Sequence, residues 1–169
     1  MNTLHSNISR RALLGGVASI GLAVATDSVG NAAQSAVVGA WKLESFEERV
    51  ADGSFKPRFG ANPVGYLIYT ANGRMSATLS GIHRRPFTTG STPSSAAECG
   101  ESVHDFLAYA GTYEIKGSTV FHHLETSVYT NLVGVTLKRG FQLKGDVLTI
   151  RTLPPYLWGT QSVLVWRRS

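Results

Sequence analysis

The stretch that decides the fold is residues 64–79, VGYLIYTANGRMSATL. Residues on either side of Asn72-Gly73 follow the period-two pattern that is typical of β-strands with one buried face. Asn-Gly is a strong hairpin signal, because both residues adopt positive φ angles at little cost. The stretch therefore predicts an antiparallel hairpin of two strands, Val64–Thr70 and Arg74–Leu79.

The same pattern continues along the chain, and turn residues interrupt it at short intervals. One short helix, from about Ser95 to Leu107, is expected between the third and fourth strands. Eight strands with mostly short connections suit an all-β fold, an eight-stranded antiparallel up-and-down barrel, in which closure removes the edge strands. The six predicted strands besides the hairpin are Val37–Glu48, Ala108–Ile115, Thr119–Ser127, Val133–Leu143, Val147–Thr152 and Gln161–Arg168.

Residues 1–32 are interpreted as an export signal rather than as part of the barrel. Arg10-Arg11 precede an uncharged run at residues 12–25, and small residues follow, which is the order of an export signal. Ser9–Leu14 resembles the twin-arginine export motif. A transmembrane helix would need about 20 strongly apolar residues, and a lipid anchor would need a cysteine at the cleavage site. We therefore expect a barrel domain at residues 33–169 that is periplasmic or secreted, without stable membrane insertion after signal removal.

Composition argues against several classes of function. The formal net charge of +5 is modest and scattered, so no nucleic-acid partner is expected. The single cysteine, Cys99, forbids an intrachain disulfide and is expected to be a buried small hydrophobe. The mature chain has no phosphate-binding glycine loop, no nucleophile elbow and no cysteine pair for zinc. No metal and no cofactor are therefore expected, and the oligomeric state stays open.

The two ends of the predicted barrel carry tryptophan and arginine residues in a distinctive arrangement. The first strand contains Gly39-Ala40-Trp41 and the last contains Trp166-Arg167-Arg168. Between them lie residues 65–76, residues 108–113, His122-His123 and Arg139. The two ends resemble the lipocalin superfamily, in which a first-strand tryptophan lies at the floor and a last-strand arginine packs over it. With the residues between them, most of the mature chain is similar to the bacterial and fungal lipocalin-like domain family. The resemblance implies an eight-stranded barrel of the calycin type whose interior holds a small, mostly apolar molecule.

His122 is the most distinctive candidate site residue. Neighbours on a strand point to opposite faces, and the face shared by Val120, His122 and Leu124 is the more apolar, so we expect His122 inside. A shift of one residue would place His123 and Glu125 inside instead. His122 is open to three interpretations: a core histidine bonded to a tyrosine or to backbone, a ligand-contacting or catalytic histidine, and a metal ligand.

Arg139 lies in phase with apolar neighbours on the strand expected beside that of His122. An inward arginine is costly unless it is paired, so a ligand anion, Glu125 or Glu114 would have to compensate it. The alternative is an arginine at the barrel rim with its head in water. The expected binding set consists of Arg139, His122, the tyrosines Tyr69, Tyr109 and Tyr113, and Met75 as an apolar wall.

Two functions fit this set. The first is a carrier of a small hydrophobic molecule, for which tyrosines supply apolar bodies with polar tips. The second is a cofactor-independent isomerase, lyase or cyclase that uses His122 with a tyrosine, Tyr113, as acid and base. The scarcity of carboxylates in the expected interior favours the carrier.

Export is tested by exchanging the arginine pair. The double variant Arg10→Lys, Arg11→Lys is expected to leave the precursor in the cytoplasm, since the twin-arginine route reads that pair. Cell fractionation measures this, and N-terminal sequencing of the exported wild-type protein should find the first residue between about Thr26 and Gln34. Unimpaired export of the double variant would contradict the twin-arginine interpretation but not secretion.

Overall fold

A computed structural model describes residues 32–156 and 158–169. The export-signal prediction lies almost entirely outside these residues. The described chain begins with a helical segment, α1 (residues 32–37), and is otherwise dominated by antiparallel sheet. The further elements are β1 (Gly39–Arg49), β2 (Phe55–Pro57), β3 (Val64–Tyr69), β4 (Arg74–Ser80), α2 (Ala96–His104), β5 (Phe106–Lys116), β6 (Thr119–Ser127), a 3-10 turn (Thr130–Leu132), β7 (Thr136–Lys144), β8 (Val147–Thr152) and β9 (Ser162–Arg168).

The sheet closes on itself through β1. Its strand order is β2-β1-β3-β4-β5-β6-β7-β8-β9, and β1 also pairs with β9. The three-residue β2 pairs with β1 alone, so the closed ring consists of the other eight strands. The prediction of an eight-stranded antiparallel barrel is confirmed.

The predicted hairpin is present as β3 and β4. Tyr69 lies opposite Met75, and the amide of Gly73 donates to the carbonyl of Thr70 over 3.1 Å. Gly73 has a φ of 81°, a left-handed conformation that glycine adopts without strain.

The connections of the barrel differ in length between its two ends. Residues 70–73, 117–118 and 145–146 make short turns at the end that contains Trp41. Residues 50–63, 81–105, 128–135 and 153–161 make the long connections at the opposite end. Since binding residues concentrate on and beneath long loops, the end away from Trp41 is the better candidate for a binding site.

Trp41 and Arg168 close the short-turn end. The ring of Trp41 is 0% exposed, and its Nε1 donates to the carbonyl of Val37 over 2.8 Å. The guanidinium of Arg168 lies 4.1 Å from the centroid of the Trp41 ring. Arg168 also donates to the carbonyls of Val38 and Ala36, over 2.9 and 2.8 Å. The floor expected from the lipocalin resemblance is therefore present.

Several local expectations differ from the structure. The helix α2 ends at His104, and Phe106 and Leu107 belong to β5, because they pair with Ser80 and Leu79 of β4. With those two residues taken by the sheet, α2 buries no side chain and Cys99 is exposed, so the prediction of a buried cysteine is wrong.

Two strand boundaries also differ from the predicted ones. The strand expected from Val133 begins at Thr136, because a 3-10 turn and Gly134 at a φ of 80° precede it. Strand β2 lies in the connection between β1 and β3, where the sequence predicts no strand, because three exposed residues are too few to show an alternation.

No helix in residues 32–156 or 158–169 is long and apolar enough to cross a membrane.

Trp41→Ala is expected to lower the free energy of unfolding by about 3–5 kcal/mol, since it removes a fully buried indole and leaves a cavity beneath Arg168. Urea denaturation followed by circular dichroism measures this loss. The matched control is Trp158→Ala, whose side chain is 43% exposed and which should lose much less. Equal losses in the two variants would contradict the role of Trp41 as the buried floor.

Candidate functional site

A small cavity lies inside the barrel on the side of the long connections. Its volume is about 30 Å³, and its wall combines apolar side chains with a few polar ones. Most of the lining comes from the ends of β1, β4 and β8 and the beginnings of β5 and β9, away from Trp41. The lining residues are Phe46, Leu67, Leu79, Leu107, Tyr109, His122, Arg139, Ile150, Thr152, Trp158, Ser162, Leu164 and Trp166.

Strand β6 aims His122 into the barrel. The side chain is 1% exposed, and the next residue, His123, faces outward and contacts Thr136 and Glu114. The Nε2 atom of His122 lies 2.6 Å from the hydroxyl of Tyr69, and its Nδ1 atom lies 3.5 Å from the hydroxyl of Tyr109. His122 is therefore a core histidine bonded to a tyrosine that also reaches the cavity.

The imidazole of His122 is neutral at physiological pH. Burial lowers its pKa to about 3, with smaller electrostatic contributions from Arg139 and His123. Burial also raises the pKa of Tyr69 and of Tyr109, so both remain phenols. If Tyr69 donates to Nε2, the imidazole proton lies on Nδ1 and faces the oxygen of Tyr109. That arrangement gives every donor of the Tyr69–His122 pair an acceptor.

Tyr113 and Met75 lie behind the cavity rather than on its surface. The hydroxyl of Tyr113 donates to the carbonyl of Thr70 over 3.0 Å, and its ring lies 4.5 Å from that of Tyr69. Met75 is buried opposite Tyr69 in the β3–β4 register. The structure brings Tyr109, His122 and Arg139 together at the cavity. Tyr69 stands one hydrogen bond behind His122, and Tyr113 bonds to backbone rather than to His122.

Arg139 points inward from β7 and is 8% exposed. One N–H of its guanidinium donates to the carbonyl of Lys138 over 3.3 Å. The expected protein partners lie elsewhere, because strand alternation places them outside: Glu125 pairs with Arg74 at 2.6 Å and Glu114 with Lys116 at 2.8 Å. The expectation that one of these glutamates compensates Arg139 is wrong, and within residues 32–156 and 158–169 no carboxylate pairs with it.

Ten of the lining residues were not predicted from the sequence, and four of these carry polar side-chain atoms. Thr152 and Ser162 are polar residues in the inward phase of β8 and β9, a signal that strand alternation contains; the Thr152 hydroxyl accepts from the Ser162 amide over 2.7 Å. Trp166, which the sequence offered only as part of the family resemblance, also lines the cavity. Trp158 lies in the connection between β8 and β9, where no periodicity predicts its direction.

The lipocalin-like domain family model matches residues 38–169. The chain belongs to this family. It is also similar to a 4'-hydroxy-3'-methoxypropiophenone carrier protein of Aspergillus oryzae, with 32% identity over 82 residues, which cover 42% of this chain and 74% of that protein.

The described side chains around His122 in this lipocalin-like barrel do not form a metal site. In the described part of the chain, no three His, Cys, Asp or Glu side chains converge on a point where they could hold an ion. His122 itself has a tyrosine on Nε2 and a second tyrosine near Nδ1. Its geometry is that of a hydrogen-bonded imidazole.

Tyr69→Phe is expected to lower the free energy of unfolding by about 1–3 kcal/mol, because it leaves the buried Nε2 of His122 without a partner. The matched control is Tyr66→Phe on the same strand. Tyr66 lies on the outer face and is 49% exposed, so this variant should change the free energy of unfolding little. Chemical denaturation of both variants measures the difference. Equal effects would contradict the buried hydrogen bond.

Proposed function

We propose that this lipocalin-like protein carries a small, mostly apolar molecule inside its barrel. The observation that carries the proposal is a cavity with a mainly apolar wall and a few convergent polar side chains, Tyr109, His122 and Arg139. Binding sites for small molecules commonly have this composition, since apolar surface supplies affinity and a few polar groups supply orientation.

The size of the cavity implies that the barrel opens when it binds. About 30 Å³ accommodates little more than a water molecule, so a ligand with an aromatic ring must displace lining side chains. Trp158 is the lining residue best placed to move, because it is 43% exposed on the connection between β8 and β9 and touches Tyr129 with a ring separation of 6.2 Å. Its displacement would open the barrel at the end of the long connections.

The expected affinity is moderate. Burying roughly 250 Å² of apolar ligand surface gives about 6 kcal/mol before the costs of association are subtracted. Micromolar binding is therefore expected from apolar contacts, and polar anchors would strengthen it. The similarity to an aryl-ketone carrier supports a carrier role and supplies a concrete probe molecule.

We further propose that the barrel works outside the cytoplasm, in the periplasm or the medium. The support is the arrangement of residues 1–32, with Arg10-Arg11 ahead of an uncharged run. With Cys99 as its one cysteine, the barrel needs no oxidative step to fold. That suits a route that transports folded proteins.

Proton-transfer catalysis is the second candidate. The chain of Tyr69, His122 and Tyr109 favours it, because this chain connects a buried imidazole to the cavity. Two observations weigh against it: a pKa of about 3 makes His122 a weak base at neutral pH, and no carboxylate lines the described cavity. An isomerase, lyase or cyclase would pair His122 with Tyr69 or Tyr109 more readily than with Tyr113, whose hydroxyl is bonded to Thr70.

The carrier function is tested with 4'-hydroxy-3'-methoxypropiophenone as the probe in isothermal titration calorimetry. Wild-type protein is expected to bind it with a micromolar Kd. Leu164→Phe adds volume to the cavity wall and should weaken binding about tenfold or more, whereas Val165→Phe, on the opposite face of β9, should bind like wild type. Equal affinity in the two variants would place the probe outside the barrel.

Native mass spectrometry of protein purified from its own host provides a second measurement. A co-purified small molecule that Leu164→Phe loses and Val165→Phe retains would identify the natural cargo. Conversion of that molecule by the protein, abolished in His122→Ala while binding persists, would establish the enzyme instead.

A further inference from the structure

The interior of the barrel contains a cation without a counter-charge. Arg139 is 8% exposed and lines the cavity, and a single N–H donates to the carbonyl of Lys138. The other N–H groups of its guanidinium, which offers five donors in a fixed fork, have no partner among residues 32–156 and 158–169. A buried charge in this state is costly to the empty protein.

No titratable group on the surrounding strands neutralises Arg139. Tyr69 and Tyr109 face it and remain phenols at neutral pH, and His122 remains a neutral imidazole. Glu48, a partly buried carboxylate near the same end, pairs with Arg58 through Oε2 at 3.1 Å, and its Oε1 is buried without a partner in the described structure. Glu48 does not line the cavity. The carboxylates of the neighbouring strands β5 and β6 lie on the outer face. Within the described residues, Arg139 therefore has no counter-charge in the cavity wall.

Other unpartnered groups occur in the same wall. The Nε1 of Trp166 and the Oγ of Ser162 are buried without a hydrogen-bond partner in the described structure, and both residues line the cavity. Indole N–H and guanidinium N–H groups are donors only, and a serine hydroxyl can donate as well. The cavity thus has an excess of donors, and its best complement is a group with several acceptor lone pairs.

We propose that the cavity recognises a carboxylate on an apolar molecule, which Arg139 binds through its guanidinium fork. This inference rests on the proposed carrier function and narrows its ligand from a hydrophobic molecule to an apolar organic acid. Arginine and carboxylate pair through two parallel N–H···O bonds, and the unpartnered Nε1 of Trp166 and Oγ of Ser162 belong to residues of the same cavity wall. The apolar body of the acid would lie against Phe46, Leu107 and Leu164.

The test compares an acid with its neutral isostere. 4-Phenylbutyrate, 4-phenylbutanamide and acetate are titrated into the full mature protein by calorimetry. Wild type is expected to bind 4-phenylbutyrate about 10- to 100-fold more tightly than the amide, and to bind acetate weakly. Arg139→Met should abolish this preference and leave the amide affinity intact. The control Arg151→Met, an exposed arginine on β8 outside the cavity, should retain the preference.

The other possible results of these titrations distinguish failure of the carboxylate site from failure of the carrier function. Equal binding of acid and amide to wild type would overturn the carboxylate site and leave the carrier function standing. Acetate binding as tight as that of 4-phenylbutyrate would support an anion site and overturn the apolar carrier. Absence of binding by all three would overturn the proposed carboxylate site, while the propiophenone titration decides the carrier function separately.

Thermal unfolding without ligand gives an independent readout. If Arg139 is unpaired until a ligand binds, Arg139→Met should raise the Tm of the empty protein by roughly 3–10 °C, because it removes an unpaired buried charge. A lowered Tm would mean that Arg139 stabilises the barrel and would overturn the proposal. Arg139→Lys keeps the charge without the guanidinium fork and should retain part of the acid preference.

Discussion

Closure of the sheet through β1 is the constraint on which the rest of the structure depends. The first residues of β1 pair with β3 on one side, and residues from Trp41 to Glu48 pair with β9 on the other, with a register shift between Leu43 and Ser45. The shift bends the strand, so that one strand joins both ends of the sheet. Trp41 and Arg168 face each other across this join, which lets the cation–π contact stabilise both the floor and the closure.

A closed barrel excludes most water from its interior, so each inward polar group needs a partner within the protein. That rule is obeyed near the floor: Trp41 donates to Val37, Tyr113 donates to Thr70, and Tyr69 bonds to His122. Within the described residues it fails at the Oγ of Ser162 and the Nε1 of Trp166, whose residues line the cavity, and at the Oε1 of Glu48 near the same end. Arg139 lines the cavity with a single hydrogen bond in the described structure, to the carbonyl of Lys138. Because unpaired buried groups cost stability, their concentration at this end of the barrel supports the proposed binding site.

Strand alternation explains how much could be predicted from the sequence. It assigns an inward face to His122 and Arg139 because each strand is long enough to show a period of two. It could not predict β2, the end of α2 at His104 or the exposure of Cys99, because these depend on which residues the sheet pairs. Nor could it predict that Glu114 and Glu125 pair with Lys116 and Arg74 on the outer face. Trp158 lines the cavity from a connection that has no periodicity, so its direction could not be predicted either.

The two ends of the barrel differ in how they are closed and in their distance from the cavity. The floor is closed by short turns, by Trp41 and by the hydrogen bonds of Arg168 to backbone carbonyls. Neither Trp41 nor Arg168 lines the cavity. The other end carries the long connections, and there the partly exposed Trp158 stands beside the cavity. A ligand entering at that end can displace loop residues without breaking the strand pairs that close the sheet. The small cavity of the empty barrel is therefore compatible with a larger cargo, because Trp158 lies on a connection and does not belong to the hydrogen-bonded ring of strands.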